Sequence, residues 1–383
     1  MSDDRPSGAD SPMMLWDTAK GAKIAFEPGA VVKIYTCGIT PYDSAHVGHG
    51  ATFLAYDVLQ RRLRDRGHMT RCVRNVTDVD DDILRRSREL GVHYLDLAAE
   101  EMARFDADMA ALELLPAWRE PRATSAIPDI LGFVGAAVDK GFAYTAGGAV
   151  YFSVGRFDRF GQVSHLDREQ MLVLAAERGG NPDDPLKRDP LDFVLWQPSL
   201  PGEPTWESRW GPGRPGWHVE CSALALRELG TTVDLHGGGT DLVFPHHDCE
   251  LAQSEAVTGE LFVRHWMHVG MVRLDGEKMS KSLGNLVFIH DLLKEWEPAA
   301  VRLAILAHHY RTSWDFGMDL LGTAARRLSV WRRAGDGPGA LGEVRQALDD
   351  DLDTVSALAA IDQAAAAGLG VSEAAMLLGV RLG

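Results

Sequence analysis

The stretch that most constrains this chain is residues 37–52, CGITPYDSAHVGHGAT. An apolar run, Val31 to Tyr35, leads straight into it, and apolar residues at helical spacing (Phe53, Tyr56, Leu59, Leu63) follow it. The pattern predicts a buried parallel strand crossing into a helix near Thr52. Open α/β sheets bind ligands at the carboxyl ends of such strands. The stretch holds Cys37, the imidazoles of His46 and His49, and Gly48, whose lack of a side chain lets a ligand approach the backbone. A helix N-terminus behind it favours anions. It reads either as an anion-binding junction or as a tight turn with exposed histidines.

The chain has 383 residues, 45% hydrophobic and 25% charged, enough for two or three domains with a real core. A net charge of −16 argues against generic nucleic-acid binding, which needs clustered Lys and Arg. The cysteines (37, 72, 221, 249) are too few and scattered for a disulfide framework. No apolar run is long enough for a bilayer, and the first residues lack a signal-peptide pattern. The expectation is a cytoplasmic protein with no membrane partner, whose cysteines serve metal or catalysis.

The predicted fold class is α/β: a Rossmann-like, doubly wound parallel sheet with an inserted subdomain and a C-terminal helical bundle. Residues 1–22 form a tail and lead-in, 23–120 the first half of the sheet domain, and 121–215 the insert. Residues 216–272 return as the second half, 273–320 carry a Lys-rich loop and linker, and 321–383 form the bundle. Asn75 and Thr77 end a second parallel strand and so face the same cleft as Cys37. Gly237, Gly238 and Gly239 read as a strand-end turn with close backbone approach by a ligand, and Asp241 behind them suits ribose hydroxyls. Lys278 and Lys281 sit in a loop flanked by glycines that looks mobile and anion-seeking; a charged surface loop is the alternative. The segment 177–182, ERGGNP, reads physically as a turn.

Cys37, Cys221, His246 and Glu250 each fall near a strand end or the start of the next helix. Two thiolates, an imidazole and a carboxylate are a competent zinc set, and His246 and Glu250 at i, i+4 share a helix face. The competing reading makes Cys37 and Cys221 ordinary buried cysteines. Cys249 should point away from that face and is taken as a non-ligand.

At this point the residues resemble a family. HVGH (46–49) is similar to the HIGH signature of class I aminoacyl-tRNA synthetases, and 278–282 reads KMSKS. CGITPYD (37–43), NVTDVDD (75–81), WHVECS (217–222), GGGTD (237–241) and FPHH (244–247) resemble the cysteine-activating branch. That branch holds cysteinyl-tRNA synthetases and the cysteine ligases of mycothiol biosynthesis, which join cysteine to the amine of glucosaminyl-inositol. CGITPYD, His49, GPGRPGWHVEC (211–221) and ERGGNP resemble the ligases, as does an end soon after residues 349–354, where synthetases continue into an anticodon-binding region. His236 and Glu250 lean toward the synthetases: the ligases typically have Gln at the first position and no carboxylate at the second.

The resemblance implies an ATP-dependent, AMP-forming cysteine ligase. Its substrates would be L-cysteine, ATP with Mg²⁺ and an amino-sugar acceptor, without tRNA, and it would act as a monomer. The alternatives are a truncated cysteinyl-tRNA synthetase and a nucleotide-binding regulator that kept the fold. His46 and His49 would hold ATP phosphates, and Lys278 and Lys281 would close over pyrophosphate. Gly239, Thr240 and Asp241 would seat the adenylate, and Val272 would bound the adenine. Thr52, Asn75, Thr77 and Trp217 would line the cysteinyl pocket, with Gly38, Ile39, Thr40, Val76 and His236 as further ligand contacts. One Zn²⁺ would bind the substrate thiolate through Cys37, Cys221 and His246, with Glu250 as a fourth ligand or just behind.

Overall fold

The computed structural model describes residues 12–279 and 283–383. β1 (Met13–Asp17) and β2 (Ala22–Phe26) form an antiparallel hairpin that spans the end of the lead-in. β3 (Val31–Ile39), α1 (Val47–Asp65) and β4 (Met69–Val76) make the first parallel crossover. Helices α2 (Asp81–Leu90), α3 (Tyr94–Ala111) and α4 (Ile127–Asp139) lead to β5 (Ala143–Ala146) and β6 (Ala149–Phe152). After α5 (Arg168–Glu177) come β7 (Phe193–Gln197) and β8 (Arg214–Pro215). The chain returns to the first sheet through α6 (Trp217–Leu229), β9 (Leu235–Gly239), α7 (Asp248–Thr258) and β10 (Trp266–Val269). β11 (Val272–Leu274), β12 (Glu277–Lys278), α8 (Ile289–Glu295), α9 (Pro298–Leu306) and β13 (Trp314–Asp315) follow. Four helices close it: α10 (Met318–Ala334), α11 (Leu341–Asp349), α12 (Thr354–Ala366) and α13 (Ser372–Leu377).

The parallel sheet runs β10–β9–β3–β4. From β3 the chain moves outward to β4, and from β9 outward the other way to β10, so the order reverses between β3 and β9. That reversal opens a crevice at the carboxyl ends of the two central strands. Val32, Ile34 and Tyr35 are wholly buried, as a central parallel strand covered on both faces requires. On one side Leu54 and Val58 of α1 pack with Leu303, Trp331 and Leu358. On the other, Leu224 and Ala252 pack with Ile130, Phe152 and Trp196 of the segment between the sheet's halves. Full burial of each such side chain contributes roughly 1.5–3 kcal/mol. That segment builds its own antiparallel sheet, β5–β6–β7–β8. Among the described residues no helix is long and apolar enough to cross a membrane.

Three local expectations are corrected. α1 starts at Val47, not near Thr52, because the His46 side chain caps it. The sequence suggests a helix from Ser222 to Leu229, but α6 starts at Trp217, so Cys221 lies on it and not before it. Gly237 to Gly239 belong to β9 and pair with Met267 to Val269. A Cβ at Gly237 would stand 1.6 Å from the Met267 carbonyl oxygen, so the neighbouring strand, not a ligand, makes the close approach there.

Candidate active site

The floor of the crevice is built from a strand irregularity. Thr36 pairs with Arg74 but Ile39 with Val76, so β3 carries one extra residue at Cys37–Gly38. Such a bulge re-aims a side chain, here the Cys37 thiol. A Cβ at Gly38 would lie 1.6 Å from the Asn75 carbonyl oxygen, so the bulge demands glycine. Cys221 comes from the second turn of α6, His246 from the π-turn Val243–His247, and Glu250 from α7. Their ligating atoms lie within 4.8 Å of one another, and all four residues are buried. His246 Nε2 stands 3.3 Å from Glu250 Oε2. His246 Nε2 and Glu250 Oε1 nevertheless have no hydrogen-bond partner. Buried polar atoms are rarely left so.

A second set overlaps the first: Cys37, His236, His247 and Glu250. His236 Nε2 is 3.0 Å from Glu250 Oε2, and its Nδ1 is 2.8 Å from the Tyr35 carbonyl oxygen. His247 Nε2 is 3.3 Å from Cys37 Sγ, and its Nδ1 is 2.6 Å from His268 Nε2. His268 Nδ1 in turn meets Thr18 Oγ1 at 2.7 Å, which ties the N-terminal hairpin to the floor. Burial, reinforced by neighbouring imidazoles, holds His246 and His247 well below the usual histidine range. Burial brings His218 and His268 to about 3. Burial also pushes the Cys37 thiol and the Glu250 carboxyl up. Neutral imidazoles are the ligating form, and a cation among these groups would favour thiolate and carboxylate over their protonated forms. Donor set, burial and orphaned atoms all fit a metal ion. Cys249 belongs to neither set.

The wall beside the floor is polar. Gly38 N–H donates to Asn75 Oδ1 at 2.8 Å, and Asn75 Nδ2 donates to Thr77 Oγ1 at 3.0 Å. Thr40 Oγ1 donates to Asp80 Oδ2 at 2.8 Å, and Thr52 Oγ1 to the Gly48 carbonyl at 3.1 Å. The Trp217 ring stacks on His246 at 4.2 Å between centroids. The side chains of Ile39, Val76 and Val272 lie in the hydrophobic core, which leaves their backbone for any ligand contact.

The rim is the N-terminus of α1. His46 Nδ1 accepts the Gly48 N–H at 3.1 Å, and His49 Nδ1 accepts the His46 N–H at 3.4 Å. A neutral imidazole that accepts at Nδ1 carries its proton on Nε2. Burial brings His46 down to about 4 and holds His49 well below the usual range, so both are neutral Nε2–H donors near pH 7. The rings stack at 3.9 Å. Gly48 is needed because a Cβ there would lie 2.8 Å from the His46 ring. The closely approaching group is thus the chain's own imidazole. Across the opening, Lys278 Nζ lies 3.5 Å from Asp241 Oδ2, just past Gly239 and Thr240. Lys281 lies outside the described residues.

The structure therefore gathers Cys37, Cys221, His246 and Glu250 at the floor. It sets Asn75, Thr77 and Trp217 beside them and His46, His49, Asp241 and Lys278 at the rim. Sequence reasoning missed His218, His247 and His268. The 246–247 doublet was the visible signal for one of them. The others converge from α6 and β10, which no spacing reveals.

The profile of the tRNA synthetases class I (C) catalytic domain matches residues 25–326. The L-cysteine:1D-myo-inositol 2-amino-2-deoxy-alpha-D-glucopyranoside ligase of Streptomyces griseus is 49% identical over 368 residues, covering 94% of this chain and 90% of the relative. The ligase of the same name from Thermobifida fusca is 48% identical, covering 94% and 89%. Among solved structures, Mycobacterium tuberculosis methionyl-tRNA synthetase in complex with methionyl-adenylate aligns with a TM-score of 0.66 at 17% identity, covering 88% of this chain and 82% of that one. That likeness concerns the fold. The chain belongs to the class I (C) tRNA synthetase catalytic-domain family, on the branch that holds these ligases.

Proposed function

We propose that the protein is an ATP-dependent ligase that activates L-cysteine and transfers it to the amine of glucosaminyl-inositol. The observation that carries this reading is one juxtaposition. A buried two-thiol, imidazole and carboxylate group adjoins a helix N-terminus bearing two N–H-donating imidazoles. The relatives' shared name supplies the acceptor. The free, buried cysteines fit a reducing compartment such as the cytoplasm.

In the first step a cysteine carboxylate oxygen attacks the α-phosphorus of Mg²⁺-bound ATP. The bond to the β-phosphate bridge breaks, giving cysteinyl-adenylate and pyrophosphate. Such displacement depends on positioning and on donors aimed at developing charge. The Nε2–H groups of His46 and His49 supply two donors, and Lys278, with Lys281 three residues on in sequence, supplies positive charge for the leaving group. Asp241 holds the ribose side. In the second step the acceptor amine attacks the adenylate carbonyl; an amide forms, AMP leaves and the amine gives up a proton.

Cys37, Cys221, His246 and Glu250 would hold zinc. When bound there, zinc supplies a soft Lewis acid that favours a thiolate over a hydroxyl and so separates cysteine from serine. Trp217 covers that group through its stack on His246, and Asn75 and Thr77 present polar atoms beside it. The test is ATP–pyrophosphate exchange: cysteine supports it and serine does not. Equal exchange with both amino acids would refute the thiol-selective floor.

A further inference from the structure

The chemistry above leaves the segment 177–182 without a task. Its structure accounts for Arg178, Gly179 and Gly180. α5 ends at Glu177 and is capped by Arg178, whose N–H donates to the Leu174 carbonyl at 3.0 Å. Gly179 takes the left-handed conformation, with φ of +79°, which stops the helix. Gly180 N–H donates back to the Ala175 carbonyl at 2.7 Å, and a Cβ at Gly180 would lie 2.8 Å from that oxygen. Lys187 Nζ donates to the Gly180 carbonyl and pins the turn from the other side. The two glycines close the helix without side chains of their own, and the Arg178 side chain reaches out of the segment that carries the antiparallel sheet. Its Nη1 donates to the carbonyls of Asp241 and Phe244.

Those two carbonyls bracket Leu242–Val243, where a 3-10 turn (Thr240–Leu242) passes into the π-turn Val243–His247. Asp241 stands at the rim, where its carboxylate meets Lys278, and His246 stands at the floor. Among the described residues Arg178 has no carboxylate partner, so its charge is directed at backbone carbonyls alone. An ordinary surface arginine would pair with an acid or extend into solvent. Guanidinium is the side chain suited to this grip, because its N–H groups point in fixed directions and it stays charged.

We infer that Arg178 is a positioning residue: it clamps the backbone from Asp241 to Phe244 and so sets the register between the rim carboxylate and the floor imidazole. This rests on reading Asp241 as a nucleotide contact. Removing the clamp loosens Asp241, while Cys37, Cys221 and Glu250 stay on β3, α6 and α7 and keep His246 among them.

The test is calorimetric titration of the full-length protein with ATP. Arg178→Ala should bind ATP about tenfold more weakly, a loss of the size expected for one charge-assisted hydrogen-bonding group. Millimolar guanidinium should restore most of that affinity, and Arg178→Lys should fall between the two. Metal content and melting temperature should stay near wild type. Arg168→Ala is the control: Arg168 is on the same helix but pairs with Asp189 and touches nothing in the site. It should bind ATP as wild type does. Wild-type affinity in Arg178→Ala, a loss that guanidinium leaves unrestored, or an equal loss in Arg168→Ala would each overturn the clamp. The acceptor reading fails separately. A wild type that binds ATP but cysteinylates only tRNA removes that reading and leaves the clamp standing.

Discussion

The floor and the rim of the crevice share one continuous segment, from Cys37 to His49, but are built in opposite ways. Cys37 is held by a bulge in a central strand, and its partners Cys221, His246 and Glu250 are buried on α6, the π-turn and α7. Nine and twelve residues on, His46 and His49 sit at a helix start, facing an exposed Lys278 on a short hairpin. Every side chain that forms the floor is buried, which suits choosing among side chains that differ by one atom. The rim has donors with fixed tautomers on one side and an exposed lysine on the other, which suits gripping a phosphate chain that must arrive and leave. On this account, floor variants lose metal and all activity, whereas rim variants keep the metal and lose nucleotide chemistry.

The largest effect is expected at the floor. Cys37→Ser and Cys221→Ser should each lose metal by elemental analysis and lower cysteine-dependent exchange by at least about 100-fold, since even outer partners of a metal site cost about 10–100-fold. Full metal retention in both would break the comparison. Next come His46→Ala and His49→Ala, expected to slow exchange about 100-fold, as loss of one donor to a developing charge does. Their metal content should be unchanged; metal loss there would merge the two regions.

The smallest effect concerns stability. The folded-state value of about 4 for His46 lies below its ordinary 6.5, because burial disfavours the charged ring. The stability tied to it is therefore complete above about pH 6.5 and is lost as pH falls toward 4. Asp80 and Asp248, raised to about 6 chiefly by burial, act with the opposite sign, their contribution being lost as pH rises through 6. A urea midpoint measured from pH 7 down to 6 should fall in wild type, with at most about 1.4 kcal/mol per pH unit from this one group. His46→Gln should flatten that slope. An unchanged slope would show that the ring is not held neutral by its burial.

That the chain forms a parallel sheet with a ligand cleft at its strand ends was legible, because Val31–Tyr35, the alternation over 69–77 and the run 232–236 carry ordinary parallel-strand patterns; the order of the strands was not. The floor group was legible for a topological reason: each of its residues follows a strand end or opens a helix. What escaped had local causes. Imidazole is not a usual N-cap, so the true start of α1 was hidden. Gly216 caps α6 without a side chain, so nothing marked its start at Trp217. The glycines of β9 resemble a turn until the approach of Met267 is known. The histidine cluster under Cys37 assembles from α6, β9, the π-turn and β10, and only packing brings those together.

The central claim is that the rim delivers activated cysteine to an amine. Its most direct test is mass spectrometry of the products after incubating the protein with ATP, cysteine and either glucosaminyl-inositol or tRNA. The account predicts cysteinyl-glucosaminyl-inositol with matching AMP release, and no cysteinylated tRNA. Cysteinylated tRNA, with the amino sugar untouched, would contradict it.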